Sequence, residues 1–216
     1  MSKDKSIQDL RQDYSQSELA LTDLDENPMN QFEVWWKAAI ASEILEPNAM
    51  TLATVDKKGI PSARIVLLKE LRPKGFVFYT NYKSKKAQDI KKNKNVALVF
   101  LWKELQRQVR IQGVIKKISE ADSLKYAQTR PIKSQMGAWV SQQSKVIKDR
   151  AKLEKKMNHL IKEFGDKSAM PKPPFWGGYI VKPTAIEFWQ GRRSRLHDRL
   201  QYRKVKKGWV VDRLSP

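Results

Sequence analysis

Residues 50–80, MTLATVDKKGIPSARIVLLKELRPKGFVFYT, contain three runs of strand-forming residues separated by two turn sequences. The runs are Met50 to Asp56, Ser62 to Glu70 and Phe76 to Thr80; the turns are 57–59 (KKG) and 71–75 (LRPKG). Short strands joined by tight turns are typical of consecutive antiparallel hairpins. This stretch therefore predicts a meander at the start of an antiparallel sheet.

The flanking sequence adds further strands and helices. A helix is predicted from Gln31 to near Pro47, with Asn30 and Glu33 as its capping signal. The strand at 96–102 is apolar throughout, which predicts burial on both faces. Further strands are predicted at 108–118, 179–181, 185–190, 200–205 and 209–214, and further helices at 84–92, 120–129, 134–140 and 145–164.

This order of elements predicts a mainly β fold with peripheral helices, built as a closed antiparallel barrel. The sequence has neither a G-x-G-x-x-G nor a G-x-x-x-x-G-K-[ST] motif, so Rossmann and P-loop phosphate binding are not supported. Residues 1–30 are polar and acidic and are predicted to form an N-terminal arm. Residues 31–216 are predicted to form a single domain.

Composition excludes several kinds of chemistry. The chain has no cysteine and two histidines, which rules out thiol nucleophiles and disulfides and predicts no metal site. The N-terminus lacks an apolar signal core, and no run of eighteen apolar residues occurs. We therefore expect a soluble, cytoplasmic protein with no membrane partner.

The charge is large and unevenly distributed. The formal net charge is +20, yet residues 1–50 carry 4 Lys/Arg and 10 Asp/Glu, while the rest of the chain carries 39 and 13. A surplus of this size attracts polyanions, so nucleic acid and phosphorylated small molecules are both candidate partners. The simplest interpretation of the lysine runs is that they form solvated helix faces.

Residues 187–199, EFWQGRRSRLHDR, concentrate four arginines and one histidine within eight positions. Such a cluster needs an anionic partner if it is packed, since arginine is rarely buried unpaired. Phe188, Trp189, Leu196 and Leu200 suggest partial packing. The segment is therefore interpreted as a binding or catalytic site, and the alternative is a solvated basic loop.

Three other groups suggest phosphate binding. Strand parity places Arg64 and Lys69 on opposite faces, so these cations should serve different ligands or surfaces. Ser84 begins a helix whose first turn offers free N–H groups and two lysines; the alternative is an ordinary N-cap. Tyr126 and Arg130 share a helix face and Ser134 can close over it, which gives a phosphate cup or simply a helix end.

Two further polar features complete the inventory. Gln143 and Ser144 supply hydrogen-bonding groups beside Trp139. They indicate a binding site only in combination with the other clusters. His159 lies in the long basic helix and is interpreted as a surface residue without a role.

Taken together, several motifs resemble the pyridoxine/pyridoxamine 5′-phosphate oxidase family. They are RIVLLK (64–69), FYTNYKSKKA (78–87), RQVRIQG (107–113), YAQTRPIKSQMGAWVSQQS (126–144), PPFWGGY (173–179), EFWQGRRSRLHDR (187–199) and DRLSP (212–216). The resemblance covers nearly the whole chain from about Arg11. It implies an antiparallel FMN-binding split β-barrel and a homodimer with FMN at the subunit interface. The implied reaction oxidises pyridoxine or pyridoxamine 5′-phosphate to pyridoxal 5′-phosphate with O2, releasing H2O2, and NH3 from the amine.

The resemblance also implies roles for individual residues. The motif RIVLLK, which is Arg64, Ile65, Val66, Leu67, Leu68 and Lys69, would contact FMN. Arg64 and Lys86 would hold its phosphate, helped by Lys85, Gln143 and Ser144. The rest of the flavin site would comprise Tyr79, Thr80, Gln108, Trp189 and Arg199. The substrate phosphate would be bound by Lys69, Tyr126, Arg130 and Ser134.

The remaining implied roles concern the substrate ring and the arm. Arg195 and His197 would lie over the pyridine ring as the catalytic pair, and Arg192 and Arg193 remain as solvated charge. Arg11 and Tyr14 match a segment that covers the substrate, so the arm is interpreted as a lid.

The chain departs from the family pattern at three places. Lys85 replaces a usual arginine, which weakens bidentate phosphate binding there. The C-terminus reads RLSP where RLAP is usual. The arm reads LRQDY where a second basic residue often precedes the tyrosine.

Two rival functions are also compatible with parts of the sequence. Another flavin split-barrel oxidoreductase would keep RIVLLK and the Tyr-Thr pair but would not need RLHDR. A basic nucleic-acid-binding protein would account for the charge, although the resemblance favours an enzyme without nucleic acid as partner.

Overall fold

The computed structural model describes residues 6–10 and 13–216, which form five α-helices and nine β-strands. The helices are α1 (Pro28–Ala41), α2 (Lys85–Lys92), α3 (Glu120–Thr129), α4 (Ile132–Val140) and α5 (Ala151–Phe164). The strands are β1 (Ala49–Val55), β2 (Pro61–Leu67), β3 (Glu70–Arg72), β4 (Gly75–Asn81), β5 (Asn95–Trp102), β6 (Arg107–Lys117), β7 (Trp176–Gln190), β8 (Asp198–Lys204) and β9 (Trp209–Arg213).

The chain divides into two compact units. One, named here the central unit, comprises Asn48–Leu98 and Gln112–Pro183. The other, named the terminal unit, comprises Met1–Pro47, Val99–Ile111 and Thr184–Pro216. Strands β5, β6 and β7 each contribute residues to both units.

In the central unit, the predicted meander is correct only for its first hairpin, β1–β2. The run predicted as one strand from Ser62 to Glu70 is two strands, β2 and β3, because the chain changes partner after Leu68, and β4 pairs with β3 and β7 and not with β2. The strand order is β2-β1-β5-β6-β7-β4-β3, and the β1–β2 hairpin pairs Leu52 with Arg64. Strand β4 pairs antiparallel with β7, with Phe76 opposite Val181 and Asn81 opposite Trp176. Leu52, Phe76, Phe78, Leu98 and Ile115 are fully buried, so the apolar faces of these strands form the core.

The terminal unit packs an aromatic core around α1. Phe32 and Trp35 are buried on one side of this helix; the Phe32 ring lies 5.1 Å from Phe100, and Trp35 contacts Phe188 edge-on at 5.1 Å. The guanidinium of Arg107 lies over the Trp35 ring at 4.5 Å. Strands β8 and β9 extend this unit through antiparallel pairing of β7 with β8 and of β8 with β9.

Several predicted elements are confirmed. Helix α2 follows Ser84, whose hydroxyl accepts a hydrogen bond from the Ala87 N–H at 3.4 Å, as expected of an N-cap. Helix α3 has the predicted bounds. None of the helices among the described residues is both long and apolar enough to cross a membrane.

The predicted start of α1 is wrong. The helix begins at Pro28, and its N-cap is Asn27, whose side chain accepts from the Met29 N–H at 3.0 Å. Proline suits the first helical position because its missing N–H would be unpaired there anyway. Asn30 instead bonds Asp25, and the helix ends at Ala41, well before Pro47.

Two strand predictions also need correction. Strand β5 is not buried on both faces: Leu98 and Phe100 are buried, but Leu101 is 55% exposed. The two strands predicted at 179–181 and 185–190 are one strand, β7. Pro183 is tolerated within it because it falls between the segment that pairs with β4 and the segment that pairs with β8.

The approach of β4 to β7 depends on Gly75. Its φ is +153°, and a Cβ at this position would overlap the Val181 carbonyl oxygen. We expect Gly75→Ala to lower the free energy of unfolding by about 1–3 kcal/mol, measured by denaturant titration, because backbone atoms must move apart.

Gly137→Ala is the matched control for Gly75→Ala. A Cβ on Gly137 meets no atom within 4 Å, and alanine favours the helix, so this variant should be no less stable than the parent. Equal stability of Gly75→Ala and the parent would contradict the close packing of β4 on β7.

Candidate active site

A cavity of 490 Å³ opens in the central unit, within the size range of cofactor and ligand sites. Its walls come from β2, β4, β7, α2, α3 and α4 and from the segment after α4. They include eleven of the residues predicted to bind FMN or substrate, nine of which are Ile65, Val66, Leu67, Lys69, Tyr79, Thr80, Lys86, Tyr126 and Gln143. Arg130 and Ser134, also predicted, and Asn81, Gly137, Ala138, Ser141 and Trp176 complete the lining.

Three aromatic rings stack along the cavity. Tyr79 lies 3.8 Å from Tyr126 and 5.4 Å from Trp176, with nearly parallel planes in both pairs. The β4–β7 register creates this stack, since it places Tyr79 and Trp176 on paired segments. Burial raises the pKa of Tyr79 to about 12 and also raises the pKa of Tyr126, so both remain neutral phenols at neutral pH.

Lys86 provides a buried cation in the cavity. Its ammonium group donates to the Thr80 hydroxyl at 3.3 Å and to the Gln143 side-chain oxygen at 3.2 Å. Burial, and secondarily the charge of Arg64, lower the pKa of Lys86. Within residues 6–10 and 13–216 no carboxylate pairs with it, so an anionic ligand in this cavity would compensate its charge.

Arg130 provides a second cation. It caps the C-terminal end of α3, and its guanidinium lies 4.7 Å from the centre of the Trp176 ring. Burial lowers the pKa of Arg130, although a guanidinium stays charged at any physiological pH. Ser134 lies in the first turn of α4, which begins at Ile132, and both Ser134 and Lys69 line the same cavity. The structure thus brings together all four residues predicted to bind the substrate phosphate.

Arg64 and Lys85 lie outside the lining; Lys85 pairs with Asp89 directly, and Arg64 reaches it through the hydroxyl of Thr54. The carboxylate of Asp89 is 2% exposed; it accepts from the Thr54 hydroxyl at 2.9 Å and from the Lys85 ammonium. Arg64 donates to Thr54 at 2.7 Å, to Ser62 at 2.7 Å and to the Leu52 carbonyl at 3.2 Å. Asp89 therefore compensates the charges of two of the three cations predicted at the FMN phosphate.

Sequence reasoning missed Asp89, Asn81, Ser141 and Trp176. The PPFWGGY motif contained the signal for Trp176, but nothing local distinguishes Asp89 from other acidic residues of a basic helix. Besides Arg64 and Lys85, two predicted FMN contacts of the central unit are absent from the lining: Leu68 is buried, and Ser144 is exposed with a left-handed φ of 71°.

A second cluster lies in the terminal unit around His197. The imidazole packs 4.6 Å from Trp189 and 5.7 Å from Tyr14, and Tyr14 meets Trp189 edge-on at 5.8 Å. Gly191 allows this packing, because a Cβ there would lie 2.8 Å from the Tyr14 ring. The structure thus joins three of the residues predicted around the flavin and substrate.

The arm is attached to this cluster by polar contacts. Gln106 accepts from the backbone N–H groups of Ser15 and Gln16 at 3.0 and 3.3 Å, and Asp198 accepts from the Leu19 N–H at 3.1 Å. Arg192 pairs with Glu18 at 2.6 Å and with Asp198 at 3.4 Å. The expectation that Arg192 is merely solvated charge is therefore wrong. Arg11 lies outside the described residues.

The remaining predicted residues have distinct environments. Arg199 pairs with the buried Glu187 at 2.8 Å and donates to the Ser215 carbonyl at 2.8 Å. Gln108 is half-buried on β6. Arg195 is exposed, and both Arg195 and Ser194 have left-handed φ values, 62° and 55°. His159 is exposed on α5, as expected.

Fold and site together define a class of protein: an antiparallel split barrel with a cavity lined by cations, hydroxyl groups and aromatic rings. A solved FMN-binding, pyridoxamine 5′-phosphate oxidase-related protein from Nostoc punctiforme has this fold, with a TM-score of 0.69 at 16% identity over 89% of this chain and 100% of its own. PhzG from Burkholderia lata, solved with tetrahydrophenazine-1-carboxylic acid, aligns with a TM-score of 0.88 at 26% identity over 94% and 100% of the two chains.

Sequence comparison identifies the family. Residues 36–162 match the profile described as pyridoxamine 5′-phosphate oxidase, and residues 176–216 match the pyridoxine 5′-phosphate oxidase C-terminal dimerisation region. Proteins named pyridoxine/pyridoxamine 5′-phosphate oxidase are 54% identical in Cyanothece sp. and 53% identical in Ralstonia nicotianae; each alignment covers 98% of this chain and 99% of the relative. The chain belongs to the pyridoxine/pyridoxamine 5′-phosphate oxidase family.

Asp89 should support the folded state through its two hydrogen bonds. We expect Asp89→Ala to lower the free energy of unfolding by about 1–3 kcal/mol, because the Thr54 hydroxyl loses its acceptor and two cations lose their counter-charge. Denaturant titration measures the difference.

Asp212→Ala is the control for Asp89→Ala. Its ion pair with Arg203 is exposed, so its effect should stay within about 0.5 kcal/mol. If the two variants were equally stable, the hydrogen bonds of Asp89 would make no contribution to the stability of the folded state.

Proposed function

We propose that this protein oxidises pyridoxine 5′-phosphate and pyridoxamine 5′-phosphate to pyridoxal 5′-phosphate. FMN is the cofactor and O2 the acceptor; the products include H2O2, and NH3 from the amine substrate. The activity would serve the synthesis and salvage of pyridoxal phosphate.

One observation carries this proposal: a buried cation, Lys86, and a half-buried one, Arg130, line a single cavity, and neither has a carboxylate partner within residues 6–10 and 13–216. Lys86 lies with Thr80 and Gln143, and Arg130 lies with Tyr126 and Ser134. An oxidase of this family handles two phosphorylated molecules at once, the cofactor and the substrate. Two separate groups of cation and hydroxyl donors meet that requirement.

The donor set fits FMN. Lys86, Thr80 and Gln143 supply an ammonium, a hydroxyl and an amide for the phosphate, and β2 supplies backbone and apolar surface through Ile65, Val66 and Leu67. Arg64 and Lys85 add positive potential from the Asp89 network. When bound, FMN accepts a hydride equivalent from the substrate and is reoxidised by O2.

The second donor group fits the substrate. Arg130, Tyr126, Ser134 and Lys69 would hold its phosphate, and the raised pKa values of Tyr79 and Tyr126 keep these phenols available as hydrogen-bond donors. Holding the phosphate fixes the position of the reacting carbon, which is the main contribution a protein makes when a cofactor performs the chemistry.

We assign the terminal cluster to the same ligands. Trp189 and Arg199 would contact the flavin, Arg195 and His197 the substrate ring, and Tyr14 would cover it. The match of residues 176–216 to a dimerisation region supports a homodimer, in which we place FMN at the subunit interface.

The purified protein tests the proposal directly. We expect a yellow preparation with flavin absorbance, and peroxide release on adding pyridoxine 5′-phosphate or pyridoxamine 5′-phosphate. Bound flavin without peroxide from either substrate would indicate another split-barrel oxidoreductase. A colourless protein that binds nucleic acid with a steep salt dependence would refute the oxidase assignment.

Mutations in the two phosphate-binding groups of residues should affect different constants. Lys86→Ala should raise the Kd for FMN about 10- to 100-fold, because a charge-assisted hydrogen bond is lost. Arg130→Ala should raise KM for the substrate by a similar factor while FMN affinity changes little. Flavin fluorescence titration and steady-state peroxide assays measure the two constants.

Exposed lysines on the same helices provide the controls. Lys91→Ala on α2 and Lys133→Ala on α4 remove the same charge outside the cavity lining, so both constants should stay within about twofold of the parent. If Arg130→Ala weakened FMN binding as strongly as Lys86→Ala does, the division into two phosphate sites would be wrong.

A further inference from the structure

The imidazole of His197 is held by its own loop. Nδ1 of His197 accepts a hydrogen bond from the backbone N–H of Arg192 at 3.1 Å. A backbone amide can only donate, so Nδ1 must offer a lone pair. A neutral imidazole carries one proton, which therefore lies on Nε2.

The loop between β7 and β8 makes this contact available. The chain reverses through Ser194 and Arg195, both left-handed, and the Leu196 N–H donates to the Arg193 carbonyl at 3.1 Å. Arg192 and His197 are brought together across this turn. The amide that fixes the tautomer is thus part of the main chain and does not depend on a side chain that can rotate away.

The groups around the ring keep it neutral. Burial, together with the charge of Arg195, lowers the pKa of His197 below the ordinary 6.5. The aromatic rings of Tyr14 and Trp189 face it without adding charge. Arg192 and Arg193 add only positive charge nearby, and the neighbouring Asp198 is engaged by Arg192, Arg213 and the Leu19 N–H.

We propose that His197 acts toward the bound substrate as a fixed hydrogen-bond donor through Nε2–H and not as a proton acceptor. The inference rests on the proposed function, which places the substrate beside this cluster. The nitrogen free to face the substrate has no lone pair, and the one lone pair is occupied by the Arg192 amide. The substrate group opposite Nε2 is therefore an oxygen or nitrogen acceptor.

Nitrogen NMR on protein labelled with ¹⁵N-histidine tests the tautomer without substrate or turnover. The chain has two histidines, so a His159→Gln variant leaves a single imidazole to observe. We expect His197 to show a protonated Nε2 and an unprotonated Nδ1, with no averaging. His159, exposed on α5, serves in the parent protein as the averaging reference. A protonated Nδ1, or averaged signals at His197 as at His159, would overturn the proposal.

Two substitutions test the donor role. His197→Gln places an amide N–H near the position of Nε2 but cannot take up a proton, whereas His197→Ala removes both functions. We expect kcat/KM of the Gln variant to exceed that of the Ala variant about tenfold, at equal FMN occupancy. Equal losses of about 10²- to 10⁴-fold in both variants would show that His197 acts as a base.

The proposed function and the donor role of His197 can be refuted independently of each other. If the parent protein released no peroxide with either substrate, the proposed function would be wrong, and the NMR result would still decide the tautomer. If peroxide were released but His197 showed a proton on Nδ1, only the donor assignment would fail.

Discussion

The antiparallel register between β4 and β7 is the constraint on which the cavity depends. Pairing of Phe76 with Val181 continues to Asn81 and Trp176, and it fixes where Tyr79, Thr80 and Trp176 lie. A shift by one residue would turn every side chain of β4 to the opposite face. The phenol of Tyr79 and the hydroxyl that bonds Lys86 would then leave the cavity, even though the sheet would keep its hydrogen bonds.

Charge compensation separates the cations of the central unit into two kinds. Arg64 and Lys85 share one buried carboxylate, that of Asp89, which compensates their two charges in part. Lys86 and Arg130 have hydroxyl, amide and aromatic neighbours, and burial lowers the pKa of both. Burying a cation without a counter-ion costs stability unless a ligand supplies the charge. Lys86 and Arg130, which have no carboxylate partner among the described residues, are therefore where we propose that anions bind, and Arg64 and Lys85 would add to the positive potential there.

Local sequence signals located some elements and misplaced others. Ser84 predicts the start of α2 because a hydroxyl N-cap acts within three residues, whereas Asn27 and Pro28, and not the predicted Asn30, start α1. Lys69 lines the cavity and Arg64 does not, but strand parity is not the reason: β2 ends at Leu67, and both Ile65 and Val66 line the cavity. The proposal that Arg64 and Lys85 act on the phosphate of FMN in particular comes only from the family resemblance. Family membership in turn came from motifs distributed along the whole chain.

Two of the errors come from long-range contacts. The apolar run of β5 suggests burial on both faces, but its exposure depends on what covers each face, and no local pattern reports that. Arg192 looked like solvated charge because its partner Glu18 is far away in sequence.

The loop of Ser194 and Arg195 is likewise determined by contacts with residues outside the loop, and this affects function. Left-handed conformations of such residues cost about 1–3 kcal/mol each and persist only where the surroundings determine them. Three contacts surround this turn: Tyr14 packs against Gly191, Arg192 forms ion pairs, and the Arg192 backbone N–H donates to Nδ1 of His197. The contacts that hold the strained turn therefore also determine which nitrogen of the imidazole carries the proton.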